Sequence, residues 1–251
     1  MIQTKALILL LILLPSLLVL QRQLHREILS VFLLLTRRGD ISIVLFSILF
    51  FPGILLHEMS HWLMAKALSV RTGRLSLLPR RLENGYLRLG SVETVRSDPF
   101  RESLIGAAPL LAGGLFVAYT GWFHLGVSEM WESVPQASWS AWADSFSTAI
   151  SQPDFWLWFY LTFAVSSTMF PSSSDRRAWP SIMLVIGILI VLVIFSGAGP
   201  WLVANFSPVL DAAIQSISVI LGISVIVHLA LFVPFFLAYW GLSRITGLKV
   251  V

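Results

Sequence analysis

The chain has 251 residues, 57% of them hydrophobic and only 12% charged, with no cysteine and a formal net charge of +4; its mean hydropathy is +0.84. That balance describes a polytopic membrane protein and excludes a soluble domain built round one large core. Without cysteine there is neither a disulfide nor a thiolate metal site, and positive charge gathered in arginine clusters speaks of membrane topology before nucleic acid.

Residues 5–20 form an apolar run behind Lys5, with Pro15 inside and no small-residue cleavage site after it. An uncleaved first span is expected. Segment 21–40 is polar at both ends and is expected to lie at the interface as an amphipathic helix. Residues 41–70 are long enough to cross once with tilt, and they carry His57-Glu58-Met59-Ser60-His61 a few residues after Pro52-Gly53. On a helix, H-E-x-x-H puts two imidazoles one turn apart on one face, where both can ligate one ion. The Glu between them can then act as the base of a zinc hydrolase. Ionisable side chains in hydrocarbon are costly, so three of them inside an apolar stretch mark a site. The plainer reading is two helix histidines bonded to each other or to a backbone carbonyl.

Residues 71–101 carry seven arginines, with Asn84-Gly85 between two stretches of partial alternation. Asn-Gly suits a type I′ turn, which needs positive φ at both central residues, so a β-hairpin with strands near 74–79 and 86–95 is expected. An irregular basic loop is the alternative. The block 103–125 is rich in small residues that let helices approach closely in lipid. Residues 126–154 have no Lys or Arg, and spans near 155–171 and 180–196 follow, with a last apolar block at 209–240, straight or kinked at Pro234. Trp122, Trp131, Trp139, Trp142, Trp156 and Trp158 read as an interfacial anchoring belt.

The fold class expected is an all-α polytopic membrane protein of about six transmembrane helices, with a small cytoplasmic-side β-hairpin after the H-E-x-x-H helix. Basic loops at 71–101 and 176–177 and the basic C-terminus imply both termini inside. Arg22, Arg26, Arg37 and Arg38 run against that assignment. With this topology His57 and His61 lie at cytoplasmic depth, and the acids Glu129, Glu132, Asp144, Asp154 and Asp211 fall on the opposite side. Glu93, Asp98 and Glu102 lie on the right side among arginines, where ion pairing is their expected role. Asp175 follows an inward-running span in a Pro-Ser-Ser-Ser-Asp turn and is the expected third ligand; its alternative roles are a helix N-cap or a partner for Arg176 or Arg177. His228 is expected to make an interhelical hydrogen bond, with a metal or proton-transfer role as the alternative.

The order of these features resembles the site-2 protease family of intramembrane zinc metalloproteases. The matching segments are F-P-G-I-L-L-H-E-M-S-H at 51–61, Asn-Gly at 84–85, I-G-A-A-P-L-L-A-G at 105–113 and F-P-S-S-S-D at 170–175. The resemblance covers residues 41–180, the expected protease core, between an N-terminal unit (1–40) and C-terminal spans (181–251). It implies Zn2+ held by His57, His61 and Asp175, with Glu58 as general base and acid. It also implies an edge strand at Tyr86, Leu87, Arg88 and Leu89 that holds an unwound transmembrane substrate. The chain departs from the family's usual Leu-Asp-Gly, having Ser174-Asp175-Arg176, and has Ala112 and Gly113 where an Asn often follows the small-residue motif. The 126–154 segment is too short for an inserted PDZ domain. The activity expected is therefore hydrolysis of peptide bonds in transmembrane proteins near the cytoplasmic face of a bacterial plasma membrane. The lipid bilayer and the substrate are the expected partners, with no nucleic acid. The alternatives are a membrane metallohydrolase of other specificity, which typically takes its third ligand from a Glu in a later span, and a non-catalytic member with a binding or regulatory role.

Overall fold

A computed structural model describes residues 4–77, 80–81, 87–133 and 139–248. It is mostly helical. In chain order the elements are α1 (Thr4–Thr36), α2 (Gly39–Leu49), α3 (Phe51–Ala67), β1 (Thr72–Ser76), β2 (Arg80–Arg81), β3 (Leu87–Arg88), β4 (Ser91–Thr94), α4 (Pro99–Phe123), α5 (Val127–Ser133), α6 (Trp139–Ile150), α7 (Phe155–Thr168), α8 (Trp179–Phe195) and α9 (Gly199–Thr246). The helices α1, α4 and α9 are each long and apolar enough to cross a membrane, and the bent pair α2–α3 makes a fourth candidate. That is the length and composition of an integral membrane protein.

Several expectations change here. The short first span and the interfacial segment are one continuous 33-residue helix, α1, and it runs through Pro15. Residues 41–70 do not form one tilted span: α2 and α3 meet at Phe50 with a bend of 67°. Pro52 in the first turn of α3 explains part of this, because its missing N–H cannot continue the ladder from α2. Six spans are not reached on length and composition, since α7 has 14 residues and α8 has 17, against roughly 20 needed to cross the hydrocarbon. Moreover, α1 and α9 pack in parallel. Ser218 Oγ donates to the Ala6 carbonyl at 3.3 Å, Leu13 lies against Gly222, and Gln21 and His228 both bond Ser167. The first and last of six alternating spans would run antiparallel.

The excursion between α3 and α4 is β-structured, as Asn84-Gly85 led one to expect, but in two short nested ladders. β1 pairs antiparallel with β4, with Thr72 opposite Thr94 and Ser76 opposite Ser91, and β2 pairs with β3. The Asn84-Gly85 turn and Tyr86 lie outside the described residues.

The core forms where apolar faces of α1, α3, α4, α7 and α9 meet, around Leu17, Leu24, Phe50, Val117, Phe163 and Val227. Small residues set the helix distances. Gly53 of α3 sits directly against the Ala164 carbonyl and the Thr168 hydroxyl of α7, where no side chain would fit. α4 starts cleanly because Asp98 caps it, accepting hydrogen bonds from the Phe100 and Arg101 amides at 3.1 Å, with Pro99 as its first residue.

Candidate metal centre

His57 and His61 lie one turn apart on α3, and the turn after α7 carries Asp175 up to them. The Nε2 atoms of the two histidines are 3.2 Å apart. Asp175 Oδ1 is 3.5 Å from His61 Nε2, and Oδ2 is 3.8 Å from His57 Nε2. Among the described residues this is the one group of three or more His, Cys, Asp or Glu side chains whose ligand atoms converge, all within 4.8 Å of one another.

The donor set fits a metal ion. The Nδ1 of His57 lies 2.6 Å from the Thr168 carbonyl of α7, and the Nδ1 of His61 lies 2.7 Å from the Ile105 carbonyl of α4. A carbonyl only accepts, so each ring carries its proton on Nδ1 and turns the Nε2 lone pair inward. Two lone pairs and a carboxylate then face one another across a gap suited to a cation. For tetrahedral zinc with Zn–N bonds of 2.0–2.1 Å, ligand atoms stand roughly 3.3 Å apart. The observed separations bracket that value.

Asp175 is placed by its own turn. Its Oδ2 accepts the Ser172 amide at 2.6 Å, which orients the carboxylate. Burial opposes its ionisation, but with His61 protonated at Nε2, hydrogen bonds from that nitrogen and from Ser172 outweigh this and hold its pKa down at about 2. Gly106 of α4 lies against the Asp175 carbonyl so closely that a Cβ there would collide with it. The small-residue run that looked like generic helix packing thus also seats the third ligand.

Beside the three ligands a cavity of about 730 Å³ opens between the helices and the β-structured segment. Glu58 lines it and is buried. The chain at Gly90 lies directly over Glu58: a Cβ on Gly90 would meet the Glu58 Cγ and Oε1 at 2.7 Å. β4 flanks the same cavity with Ser91, Val92 and Thr94.

The structure therefore brings together His57, His61 and Asp175, with Glu58 alongside. Of the four residues expected to bind an extended segment, Leu89 reaches the cavity. Leu87 and Arg88 form β3 and pair with β2. The strand on the cavity wall is β4, a few residues later than the sequence suggested. Of the other acids, Glu102 lines the cavity and accepts the Ser97 amide at 3.1 Å, while Asp98 and Asp154 lie elsewhere. Asp98 caps α4 and pairs with Arg101 at 3.3 Å, and Asp154 accepts from Trp158 Nε1 at 2.8 Å and faces His124 at 3.6 Å. His228 makes the interhelical hydrogen bond expected of it, with Nε2 2.9 Å from Ser167 Oγ and Nδ1 2.8 Å from the Ser224 carbonyl. Neither Gly90 nor the Thr168 and Ile105 carbonyls could be found from residue types, because backbone groups carry no residue signature. Comparison with protein-family profiles, with curated proteins and with solved structures finds no match for this chain.

Proposed function

We propose that this protein is an intramembrane zinc metalloprotease that hydrolyses peptide bonds of transmembrane proteins, of the kind the site-2 protease resemblance implies. The observation that carries the reading is the convergence of His57, His61 and Asp175 at metal-ligand spacing beside a buried Glu58 in one cavity.

A zinc ion held by these three residues would supply Lewis-acid polarisation of the scissile carbonyl and acidify a water molecule. The chain's own groups do the rest. Glu58 follows His57 directly and faces the same cavity, where it takes the proton of the attacking water as general base and delivers it to the leaving amine as general acid. The carbonyls of Thr168 and Ile105 hold both imidazoles in the ligating tautomer. A substrate helix has every carbonyl bonded internally, so it must unwind before attack. Among the described residues β4 pairs with β1 alone, and its position on the cavity wall suits it to receive the unwound segment by strand addition. The arginines of 71–101 and Arg176 and Arg177 then lie toward the cytoplasm, with the site at that depth.

Metal analysis of purified protein tests the reading. Wild type should hold one zinc per chain and cleave a transmembrane substrate. Glu58→Gln should keep the zinc while turnover falls by roughly 10²–10⁴-fold. Asp175→Ala should lose zinc affinity by more than the roughly 10–100-fold that follows loss of an outer-shell partner. Wild type without stoichiometric zinc would end the protease reading, and a zinc-replete, active Asp175→Ala would move the third ligand elsewhere.

A further inference from the structure

A second recess, of about 300 Å³, lies where α3 ends, β1 begins and α4 starts. Its lining carries three arginines, Arg71, Arg96 and Arg101, and one acid, Asp98. Three positive charges against one negative leave a surplus of two. Asp98 pairs with Arg101 at 3.3 Å and uses its other oxygen to cap α4. Among the described residues, Arg71 and Arg96 have no carboxylate within ion-pair distance. Water solvates a lone arginine, but guanidinium groups gathered round one recess repel each other until an anion sits among them.

The place of the recess in the molecule says which anion. α4 is long and apolar enough to cross a membrane, and α3 is the second half of the bent pair that makes another candidate span. The junction between them therefore comes to a membrane surface. Lys66, in the last turn of α3, holds its ammonium 5.7 Å from the centre of the Trp62 ring, a pairing suited to the headgroup level. Val95 in the lining and Phe100 beside Arg101 are exposed apolar side chains, placed to meet acyl chains. The volume is at the small end of the roughly 300–1,000 Å³ of ligand sites, room for a headgroup and not for a polypeptide. The lining is also shared. Val95, Arg96 and Ser97 follow β4 directly and line the cavity beside Glu58 as well, and the Val95 amide donates to the Arg71 carbonyl at 3.0 Å.

We propose that this recess binds the phosphate of an anionic phospholipid, and that the bound headgroup braces the strip that follows β4. A phosphodiester accepts forked hydrogen bonds from guanidinium groups. Bridging Arg71, Arg96 and Arg101, it ties the residue before β1, the strip after β4 and the first turn of α4 together. In a zwitterionic lipid the headgroup cation offsets the attraction. The site rests on charge and position and does not depend on the protease reading.

The full chain in detergent is titrated with phosphatidylglycerol, phosphatidylcholine and inorganic phosphate, and bound lipid is counted by native mass spectrometry. Wild type should hold one phosphatidylglycerol about 25-fold more tightly than phosphatidylcholine, at about fivefold for each of the two arginines without a carboxylate. Arg71→Gln combined with Arg96→Gln should abolish that preference. Arg74→Gln, on β1 but outside the recess, should keep it. Hydrogen exchange of peptides covering 91–101 should be slower in wild type with phosphatidylglycerol than with phosphatidylcholine; this arm needs no variant to fold. Equal retention of the two lipids overturns the site. So does a loss in Arg74→Gln as large as in the double variant, since the attraction then belongs to the whole basic surface. Displacement of the lipid by millimolar inorganic phosphate makes the recess a soluble-anion site and overturns the lipid assignment. Lipid held by these arginines with unchanged exchange at 91–101 overturns the bracing.

Discussion

His57 and His61 owe their ligating geometry to two backbone carbonyls on other helices, Thr168 on α7 and Ile105 on α4. Single positions where backbone passes close by are therefore as sensitive as the ligands. Gly106→Ala should push the Asp175 turn away and lower zinc affinity by roughly 10–100-fold, as loss of a group that orients a ligand does; competition with a chelator of known affinity reads this directly. Gly90→Ala should do the opposite kind of damage, displacing Glu58 so that turnover drops while zinc content stays at the wild-type level. The ligating side chains were legible in the sequence because H-E-x-x-H is a pattern of residue types at helical spacing. Gly90 was not, because its role comes from the Glu58 side chain that the fold places opposite it.

Among the elements, α7 connects most of the chemistry. It gives the Thr168 carbonyl to His57, the Ser167 carbonyl to Gln21 and the Ser167 hydroxyl to His228. His228 itself does not line the cavity beside Glu58. His228→Leu should consequently destabilise the bundle by about 0.6–1.7 kcal/mol, the range for hydrogen bonds between membrane helices, with zinc content and kcat unchanged; detergent-denaturation midpoints and a cleavage assay decide it. A loss of zinc in that variant would instead revive a metal role. On the opposite wall, Leu89→Pro should break the approach to β4 and cut turnover with zinc retained. The β-structured region was readable from Asn84-Gly85, whose local chemistry is strong, whereas the helix start at Asp98-Pro99 was not, Asp98 having been expected only to pair with arginines. The break at Phe50 and the continuity of α1 through Gln21–Gln23 were not, since a polar patch reads as an interface whether it faces water or, as Gln21 does, a buried carbonyl.

At the scale of the whole molecule, a membrane protein was evident from composition alone, whereas the number of crossings was not, because the 14 residues of α7 and the 48 of α9 draw on the same residue types. The site's response to pH belongs at this scale too. Asp175 is held at about 2 and is a carboxylate at any working pH. Proton competition at the centre thus falls to the two histidines, whose ordinary pKa is about 6.5. Because the ligating forms are deprotonated, zinc is expected to be held more weakly as pH falls. Zinc content across pH 5–8, followed by restoration on return to pH 8, checks the sign.

The two Nδ1–carbonyl hydrogen bonds have a thermodynamic consequence. They tie α3 to α7 and to α4, and the Asp175 turn closes the third side, so the ligands are in register only when those three helices are docked. An ion that binds only this docked arrangement is a clasp on the bundle. By linkage, zinc at a thousand times its dissociation constant would raise the unfolding free energy by about 4 kcal/mol. Chelation would then loosen the seam between α3, α4 and α7 without any change in the sequence.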